Sequence, residues 1–363
     1  MPRLVKRLQE RIRQDGPLTV EQWMAACLAD PQDGYYMTRD PLGRAGDFIT
    51  APEISQMFGE LLGLWAAVVW QGMGSPDAVR LVEPGPGRGT LMRDALRAAA
   101  TVPGFTQALS VHMVETSPVL RRAQQAALAD APGSARWHET LAEVPDGPAI
   151  ILANEFLDAL PVRQWVSLGN IWHERMVDHD GRSFIYAPGA ALDPSQVPDF
   201  LESAPEGSVF EVSPAVEAVT GGIAARLCAQ GGAALLIDYG HTERGHGETL
   251  QALKGHRFAD PLAEPGEQDL TAHVDFAFVR DIAHAAGAAT WGPITQGALL
   301  ERLGIAARAT RLLLNASKAQ AEDIARARTR LVGADDMGRL FKALALTHPA
   351  LPAPPGFEMT GED

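Results

Sequence analysis

One glycine-rich stretch limits most strongly what this chain can fold into. It reads V-R-L-V-E-P-G-P-G-R-G over residues 79–89, so an apolar run ends in Glu83 and passes at once into Gly85, Gly87 and Gly89. Glycine is favoured where the chain turns sharply, a ligand approaches the backbone and the N–H groups of a helix start point at that ligand. The stretch therefore predicts a strand, a tight turn and a helix.

The spacing of these glycines argues against a dinucleotide site. A dinucleotide-binding turn reads G-x-G-x-x-G and holds a pyrophosphate, whereas this one reads G-x-G-x-G and follows Glu83, which is badly placed for a phosphate. A carboxylate there suits a ligand with an ammonium or sulfonium centre. A second apolar run, residues 109–114, ends in Glu115, near the spacing at which the nucleotide fold places a ribose-binding acid. Together these features favour S-adenosylmethionine over NAD.

Composition excludes several classes of function. The chain has 363 residues, enough for one large α/β domain with insertions or for two domains. A formal net charge of −14 argues against a nucleic-acid partner held by general electrostatics. The longest apolar run, residues 61–70, is too short to span a bilayer. The two cysteines and ten histidines lack metal-ligand spacing, so we expect no metal site.

Strand and helix patterns alternate after the glycines, which is typical of a parallel sheet with crossover helices. Further strands are predicted at residues 109–115, 135–140, 148–153, 232–237 and 289–294. Ligands of such sheets bind at the carboxyl ends of the strands. Polar residues stand at these ends, namely Glu83, Glu115, Trp137, His138, Asn154, Glu155, Asp238 and Tyr239. The predicted fold class is therefore α/β, with a Rossmann-like parallel sheet.

The remaining segments give the predicted domain division. Residues 1–75 are expected to form an N-terminal helical segment and residues 76–363 the α/β domain, with a β-hairpin insertion at about 162–208 and a helical cap at about 296–350. Within and after the cap, helices are predicted at 296–303, 307–331 and near 337–346, and an extended piece at 356–360 that returns to the sheet edge.

A polar group follows the fourth predicted strand, in the sequence N-E-F-L-D-A-L-P. Asn154, Glu155 and Asp158 leave a buried strand there, at the ligand edge of the sheet. Glu155 and Asp158 are three residues apart and would share one face of a helical turn. Two carboxylates can bind a guanidinium through parallel hydrogen bonds and disperse its charge. The alternative is that Asn154 and Asp158 cap the next turn and that Glu155 is solvated.

The loop G-D-F-I-T-A-P-E-I-S at residues 46–55 is rich in side-chain oxygens. Asp47 and Thr50 are candidates for a ligand pocket, although turn and helix-capping roles explain such residues equally well. The histidines, among them His241, show no acid–base partner in the sequence.

Six segments together carry a family resemblance. They are C-L-A-D-P-Q-D-G-Y-Y at 27–36, the loop at 46–55, E-P-G-P-G-R-G at 83–89, N-E-F-L-D-A-L-P at 154–161, I-D-Y-G-H at 237–241, and the 260–276 segment with D-L-T-A-H-V-D-F. The chain resembles the MidA family of S-adenosylmethionine-dependent methyltransferases, whose mitochondrial members act as assembly factors of respiratory complex I. The resemblance extends over nearly the whole chain.

The resemblance implies a seven-stranded methyltransferase sheet with an antiparallel edge strand, and methyl transfer to an arginine of a complex I core subunit. The resemblance and the sequence patterns described above together give the expected cofactor-binding residues, which are Glu83, Gly85, Gly87, Gly89, Glu115, Asp47, Thr50 and Asn154. The expected catalytic residues are Glu155, Asp158 and Asn154. Our hypothesis is an in-line displacement in which Glu155, before Asp158, orients the guanidinium nitrogen.

Two alternatives to this function stay open. One is an assembly chaperone that keeps the cofactor-binding fold, and a less favoured one is an NAD-dependent oxidoreductase. The resemblance begins close to the N-terminus and leaves no room for a presequence, so the expected location is the bacterial cytoplasm. A homodimer is also considered.

Overall fold

The computed structural model describes residues 2–39, 49–131 and 134–358. The helices are α1 Arg3–Asp15, α2 Val20–Ala29, α3 Tyr35–Thr38, α4 Ala51–Ile54, α5 Gln56–Gly72, α6 Thr90–Ala99, α7 Phe105–Ala108, α8 Pro118–Ala127, α9 Pro214–Gln230, α10 Phe276–Ala285, α11 Gln296–Arg302, α12 Ile305–Leu313, α13 Lys318–Val332 and α14 Met337–Leu340. The strands are β1 Leu18–Thr19, β2 Val79–Pro84, β3 Leu109–Val114, β4 Ala135–His138, β5 Ala149–Asn154, β6 Arg163–Leu168, β7 Ile171–His179, β8 Phe184–Ala191, β9 Val209–Val212, β10 Gly232–His241, β11 Gln251–Lys254, β12 Arg257–Ala259, β13 Asp269–Thr271, β14 Val274–Asp275, β15 Ala289–Thr295 and β16 Phe341–Thr347.

The chain divides into two compact units, each built from segments that are separate in the sequence. The first unit takes the described residues of Met1–Phe48, Asp158–Ala218 and Glu243–His273. The second takes those of Ile49–Leu157, Val219–Thr242 and Val274–Asp363. The division at residue 75 that the sequence suggested stays a prediction.

The first unit contains two antiparallel sheets. In the larger one, β1, β7, β6 and β9 follow one another and β8 also pairs with β7. The smaller sheet has the order β12-β11-β13. The β-hairpin expected at 162–208 exists as β6 and β7, but it belongs to this larger sheet, because β1 and β9 supply partners from elsewhere in the chain. The apolar stripe of α1, made of Leu4, Leu8 and Ile12, is buried in the core of this unit.

The second unit is built on a mostly parallel sheet. Its strand order is β15-β16-β10-β5-β2-β3-β4, and the short β14 pairs with β10. The strands from β10 to β4 run parallel, and every residue of β5 is buried, as expected for a strand covered on both faces. The α/β class predicted from the alternation of strand and helix patterns is confirmed.

The C-terminal part of this sheet differs from the prediction. Residues 341–347, expected to continue a helix, form β16, which runs antiparallel to both β10 and β15 and separates them. The antiparallel strand is therefore not at the edge, and residues 356–358, expected to be extended at the edge, form no strand. The Ala/Leu-rich run of β16 gives no strand alternation because all its residues except Lys342 are buried.

Helix α5 packs closely on α6, the helix that follows the glycines. A Cβ atom added at Gly63 would lie 2.3 Å from the backbone oxygen of Ala95, so only glycine permits this approach. The buried carboxylate of Glu60 on α5 accepts hydrogen bonds from Arg97 of α6 at 3.0 Å and from Arg308 of α12 at 2.6 Å. These contacts fix α6 behind the turn that begins it. Within residues 2–39, 49–131 and 134–358, none of the helices is long and apolar enough to cross a membrane.

Two histidines on neighbouring strands contact each other inside the second unit. The Nδ1 atom of His112 lies 2.8 Å from Nε2 of His138, and its Nε2 atom lies 3.1 Å from Oγ of Ser110. Burial, together with the smaller effect of His138, lowers the pKa of His112 to about 4. The native state thus favours neutral imidazole on β3.

The free energy of unfolding should therefore fall as the pH falls from about 6.5, the ordinary pKa of histidine, towards about 4. In that range the unfolded chain takes up a proton that His112 in the native state does not. Urea denaturation at a series of pH values measures this slope, and His112→Gln should reduce it. His284→Gln, at an exposed position of α10, is the matched control and should keep the wild-type slope. An unchanged slope in His112→Gln would contradict the assignment.

Candidate active site

Neighbouring strands of the second unit bring the predicted polar residues to one edge of its sheet. The strands β10, β5, β2, β3 and β4 lie side by side and parallel, so their carboxyl ends are adjacent. The residues at or directly after the ends of β5, β2, β3 and β4 are Asn154, Glu83, Glu115 and His138, and Asp238 of β10 directly follows Ile237, which pairs with Asn154. The predicted alignment of these residues is what the structure shows.

The glycine turn, residues 85–89, connects β2 to α6 as the sequence predicted. Gly85 has φ +60°, and its N–H group donates to the Val114 oxygen at 3.0 Å. A Cβ atom on Gly85 would lie 2.7 Å from Cδ2 of Phe156, so the turn and the residues after β5 meet here without room for a side chain. Gly87 and Gly89 also have positive φ values, of +52° and +79°. Glycine therefore serves both the backbone conformation and the close approach.

Glu83 is a buried carboxyl group in front of this turn. It is 3% exposed, and the backbone N–H of Met92 donates a hydrogen bond to it. Its Oε2 atom has no hydrogen-bond partner among the described residues. Burial raises the pKa of Glu83 well above its ordinary value. A ligand that brings a positive charge to Oε2 would stabilise the ionised form and relieve this desolvation.

Glu115 lies directly after β3, and its side chain is held by Ser117 and by Gln124 of α8. Its Oε1 atom accepts from the Ser117 N–H at 2.7 Å and its Oε2 atom accepts from Nε2 of Gln124 at 3.1 Å. The same Nε2 atom donates to the oxygen of Gly87 at 2.8 Å, and Trp137 Nε1 donates to Oε1 of Gln124 at 2.8 Å. Gln124 was not identified from the sequence, because a glutamine in the middle of an amphipathic helix carries no motif.

Asn154 and Glu155 end β5 beside the glycine turn. The Oε1 atom of Glu155 accepts from the Ala51 N–H at 2.8 Å and from Nδ2 of Asn154 at 3.0 Å. The Oδ1 atom of Asn154 is buried and has no hydrogen-bond partner among the described residues. Glu155 has φ +50°, and residues 155–160 form bends and turns. The helical turn on which the pairing of Glu155 with Asp158 was based is therefore wrong.

Asp238, on the neighbouring strand β10 just past its pairing with β5, holds the backbone that follows Glu155. Its Oδ2 atom accepts from the N–H groups of Phe156 at 3.1 Å and Leu157 at 2.9 Å. The N–H of Glu155 donates to the oxygen of Ile237 at 2.9 Å. A non-glycine residue at positive φ persists only where its surroundings impose it, and these three hydrogen bonds do so. Asp238 thus sets the position of Phe156 and of the Glu155 backbone.

The described part of the 46–55 loop also reaches this edge. Thr50 is the N-cap residue of α4, and its neighbour Ala51 donates to Glu155 as above. Glu53 accepts a short hydrogen bond from Oγ1 of Thr90, at the start of α6, and its Oε2 atom lies 3.9 Å from Nη1 of Arg88. Residues 49–54 are therefore joined to both the glycine turn and Glu155. Asp47 lies outside the described residues.

Asp158, the second predicted carboxylate, belongs to the first unit. It is 5% exposed, and its backbone oxygen accepts from the Ala272 N–H at 3.0 Å. The hydroxyl of Tyr36 donates to Oδ1 of Asp269 at 2.7 Å. Burial and the charges of Asp269 and Asp158 raise the pKa of Tyr36 well above its ordinary value. Asp158 and Asp269 are thus two buried carboxylates whose charges act on the Tyr36 hydroxyl.

His241, which showed no acid–base partner in the sequence, lies near the carboxylate of Asp275 in the structure, beyond hydrogen-bond distance. Its Nδ1 atom lies 4.0 Å from Oδ1 of Asp275. The two residues meet because β10 and β14 pair in parallel, with Gly240 opposite Val274 and His241 opposite Asp275. The sequence separation of these strands concealed the pair.

The residues at this edge fit S-adenosylmethionine. Glu83 and Asn154 each offer a buried oxygen without a hydrogen-bond partner, which suits the ammonium of its methionine part and opposes a phosphate. The positive-φ turn leaves room for close approach to the backbone, and Glu115 presents a carboxylate for the ribose hydroxyls. Over the described ranges, no group of three or more His, Cys, Asp or Glu residues is placed to hold a metal ion.

Substituting Gly85→Ala should weaken binding of S-adenosylhomocysteine roughly tenfold or more, because the new methyl displaces Phe156 and with it the edge of the site. Isothermal titration calorimetry measures the dissociation constant. Gly74→Ala is the matched control: it carries a similar conformational penalty at φ +84°, but nothing lies within 4 Å of its Cβ position. Its affinity should match that of the wild type. Equal affinities for both variants would remove Gly85 from the site.

Comparison with known proteins agrees with this chemistry. The model of a family described as S-adenosyl-L-methionine-dependent methyltransferase matches residues 61–294. The chain is 40% identical over 372 residues to the Drosophila melanogaster protein arginine methyltransferase NDUFAF7 homolog, covering 94% of this chain and 84% of that protein. It is 35% identical over 371 residues to the human protein arginine methyltransferase NDUFAF7, covering 94% and 83%.

Solved structures from Burkholderia thailandensis share the fold. One, bound to S-adenosyl-homocysteine, superposes with a TM-score of 0.83 at 29% identity and covers 98% of this chain and 93% of that one. A second, native structure superposes with a TM-score of 0.82 at 31% identity and covers 98% of this chain and 94% of that one. With the edge residues described above, these matches have one meaning: the chain belongs to this family of S-adenosylmethionine-dependent methyltransferases, and its cofactor is S-adenosylmethionine.

Proposed function

We propose that this chain is a protein arginine N-methyltransferase and that its substrate is a core subunit of respiratory complex I. The observation that carries the proposal is the likeness, over nine-tenths of the chain, to relatives named protein arginine methyltransferase NDUFAF7. The match covers 94% of this chain, so the matched region includes residues 154–238. Membership of the methyltransferase family decides against the NAD-dependent oxidoreductase considered from the sequence.

The chemistry required of the protein is to orient a guanidinium nitrogen and to accept its charge. When bound, S-adenosylmethionine supplies an electrophilic methyl group. Glu83, Asn154, Glu115 and the glycine turn are the residues proposed to hold it, with Thr50 and Asp47 in the adjoining loop. Because a guanidinium stays protonated in water, the nitrogen loses a proton as it gains the methyl group, and a carboxylate hydrogen-bonded to it can accept that proton.

Glu155 is the proposed catalytic carboxylate. It follows β5 directly, and its position is imposed by Asp238 and by hydrogen bonds from Ala51 and Asn154. Such imposed geometry at a strained residue is typical of functional sites. Asp158 remains the second candidate; its burial with Tyr36 and Asp269 favours a structural role within the first unit.

A direct test uses the purified protein, S-adenosylmethionine and purified complex I core subunits from the same source. We expect methyl groups on arginine of one core subunit, located by peptide mass spectrometry. The matched control replaces that arginine with lysine in the subunit and should abolish the product. Methylation of lysine or of a small molecule instead would overturn the arginine assignment.

The same experiment separates the enzyme from an assembly chaperone. A chaperone that merely keeps the cofactor-binding fold would bind a core subunit and S-adenosylhomocysteine yet give no methylated product. Stable binding without transfer under saturating cofactor would therefore favour the chaperone and contradict the proposal.

Glu155→Gln should lower kcat roughly 100-fold, the contribution of a positioned acid–base group, with affinity for S-adenosylhomocysteine nearly unchanged. Glutamine keeps an oxygen that accepts from Ala51 and Asn154 but lacks the charge, so the loop stays in place while the nitrogen loses its counter-charge. Single-turnover kinetics and calorimetry give the two quantities separately.

Two further variants serve as comparisons for Glu155→Gln. Glu155→Ala removes the acceptor as well as the charge, so it should also weaken cofactor binding. Asp158→Asn should lower thermal stability more than it lowers the single-turnover rate. A Glu155→Gln enzyme with wild-type turnover would remove Glu155 from the mechanism. Cytoplasmic location in a bacterium and homodimer formation stay predictions.

A further inference from the structure

One side chain connects three parts of the cofactor edge that the sequence keeps separate. Gln124, on α8, is fully buried. Its amide bonds the backbone oxygen of Gly87 in the glycine turn, the carboxylate of Glu115 after β3 and the indole N–H of Trp137 on β4. Its backbone also forms the wall behind Gly89, where an added Cβ would lie 3.2 Å from Cα of Gln124.

The partners fix how this amide is oriented. The Gly87 oxygen and the Glu115 carboxylate can only accept, whereas the indole N–H of Trp137 can only donate. Nε2 must therefore face the first two and Oε1 must face Trp137, as observed. Both N–H donors of the amide are used within the protein. Gln124 consequently acts on other protein groups, with no donor left for a ligand.

Arg121, one turn earlier on α8, supports the same arrangement from the backbone side. Its Nε atom donates to the backbone oxygen of Glu115 at 2.6 Å and its Nη2 atom donates to the oxygen of His138 at 3.1 Å. The carboxylate of Glu115 accepts from the backbone N–H groups of Ser117 and Thr116 and from the amide of Gln124. Because Thr116 and Ser117 follow Glu115 in the chain, Gln124 is the partner among the described residues that relates this carboxylate to the glycine turn.

We infer that Gln124 is a positioning residue that sets the distance between the glycine turn and the Glu115 carboxylate, and thereby the affinity of the site for its cofactor. The turn and Glu115 would contact opposite parts of one ligand, the methionine and the ribose. A shift of one relative to the other would lower affinity although each group is intact. The inference depends on the proposed assignment of Gly87 and Glu115 to the cofactor.

The sharpest variant is Gln124→Glu, which keeps the shape of the side chain. A carboxylate still accepts from Trp137, but it sets acceptors against the Gly87 oxygen and Glu115. Only the protonated form of the introduced carboxyl group can donate a hydrogen bond to the Gly87 oxygen or to Glu115. Burial already raises the pKa of Glu115, so a second carboxylate beside it favours a shared proton at low pH and repulsion at high pH.

The test is calorimetric titration of the full chain with S-adenosylhomocysteine at several pH values. At alkaline pH, Gln124→Glu should bind about tenfold more weakly than the wild type, the scale of one lost buried hydrogen bond. The ratio of the two affinities should return towards one as the pH falls. Gln125→Glu, the exposed neighbour on α8, makes the same change of charge and should bind like the wild type at every pH.

Further variants distinguish a wrong assignment of Glu115 from a wrong role for Gln124. Glu115→Ala tests the assignment on which it depends: unchanged affinity there overturns the assignment itself. If Glu115→Ala weakens binding but Gln124→Glu does not, the role of Gln124 is overturned while the assignment of Glu115 stands. A lower melting temperature for Gln124→Glu with a pH-independent affinity ratio also overturns it, since that is the behaviour of a structural residue. Trp137→Phe, which keeps both Nε2 contacts, should reduce affinity less than Gln124→Glu.

Discussion

Burial of carboxylates at the carboxyl edge of the parallel sheet is the constraint on which the site depends. Glu83, Glu115 and Asp238 are each at most 9% exposed, and each accepts hydrogen bonds from backbone N–H groups. Removing a carboxylate from water is costly unless such donors replace the water. The donors come from the turns and helices that follow the strands, so the acids and these segments fix one another. A cofactor with a positive charge and two ribose hydroxyls meets a surface that is already arranged.

The two strand-end acids were recognisable because a parallel sheet converts sequence position into spatial position. An acid after each of two apolar runs, with glycines after the first, is enough to place Glu83 and Glu115 at one edge. Gln124 was not recognisable, because its role follows from the distance between α8 and two other elements. Asp238 was noted at a strand end, yet its hold on Phe156 and Leu157 depends on the pairing of β10 with β5. A role that depends on contacts with residues distant in the sequence leaves no local sequence pattern.

Errors in the fold prediction have the same origin. Residues 341–347 consist mostly of alanine and leucine, which favour helices, and burial of every residue except Lys342 removes the alternation that would identify a strand. The pairing with β10 and β15 outweighs that local preference. Likewise, a helical turn was expected at Glu155 from the spacing of two acids, whereas the hydrogen bonds to Asp238 and Ile237 impose a positive φ. In both places tertiary contacts decide against the local sequence.

The position of β16 affects how the protein is made as well as how it folds. Residues 233–239 of strand β10 pair on their second side with residues 341–347, which leave the ribosome more than a hundred residues after Gly232. Until then, β10 presents an open edge of unpaired backbone groups, and such edges promote association between chains. Nascent chains stalled before β16, and truncations that remove it, would accordingly depend on chaperones for solubility even though every residue of the cofactor edge had already been synthesised.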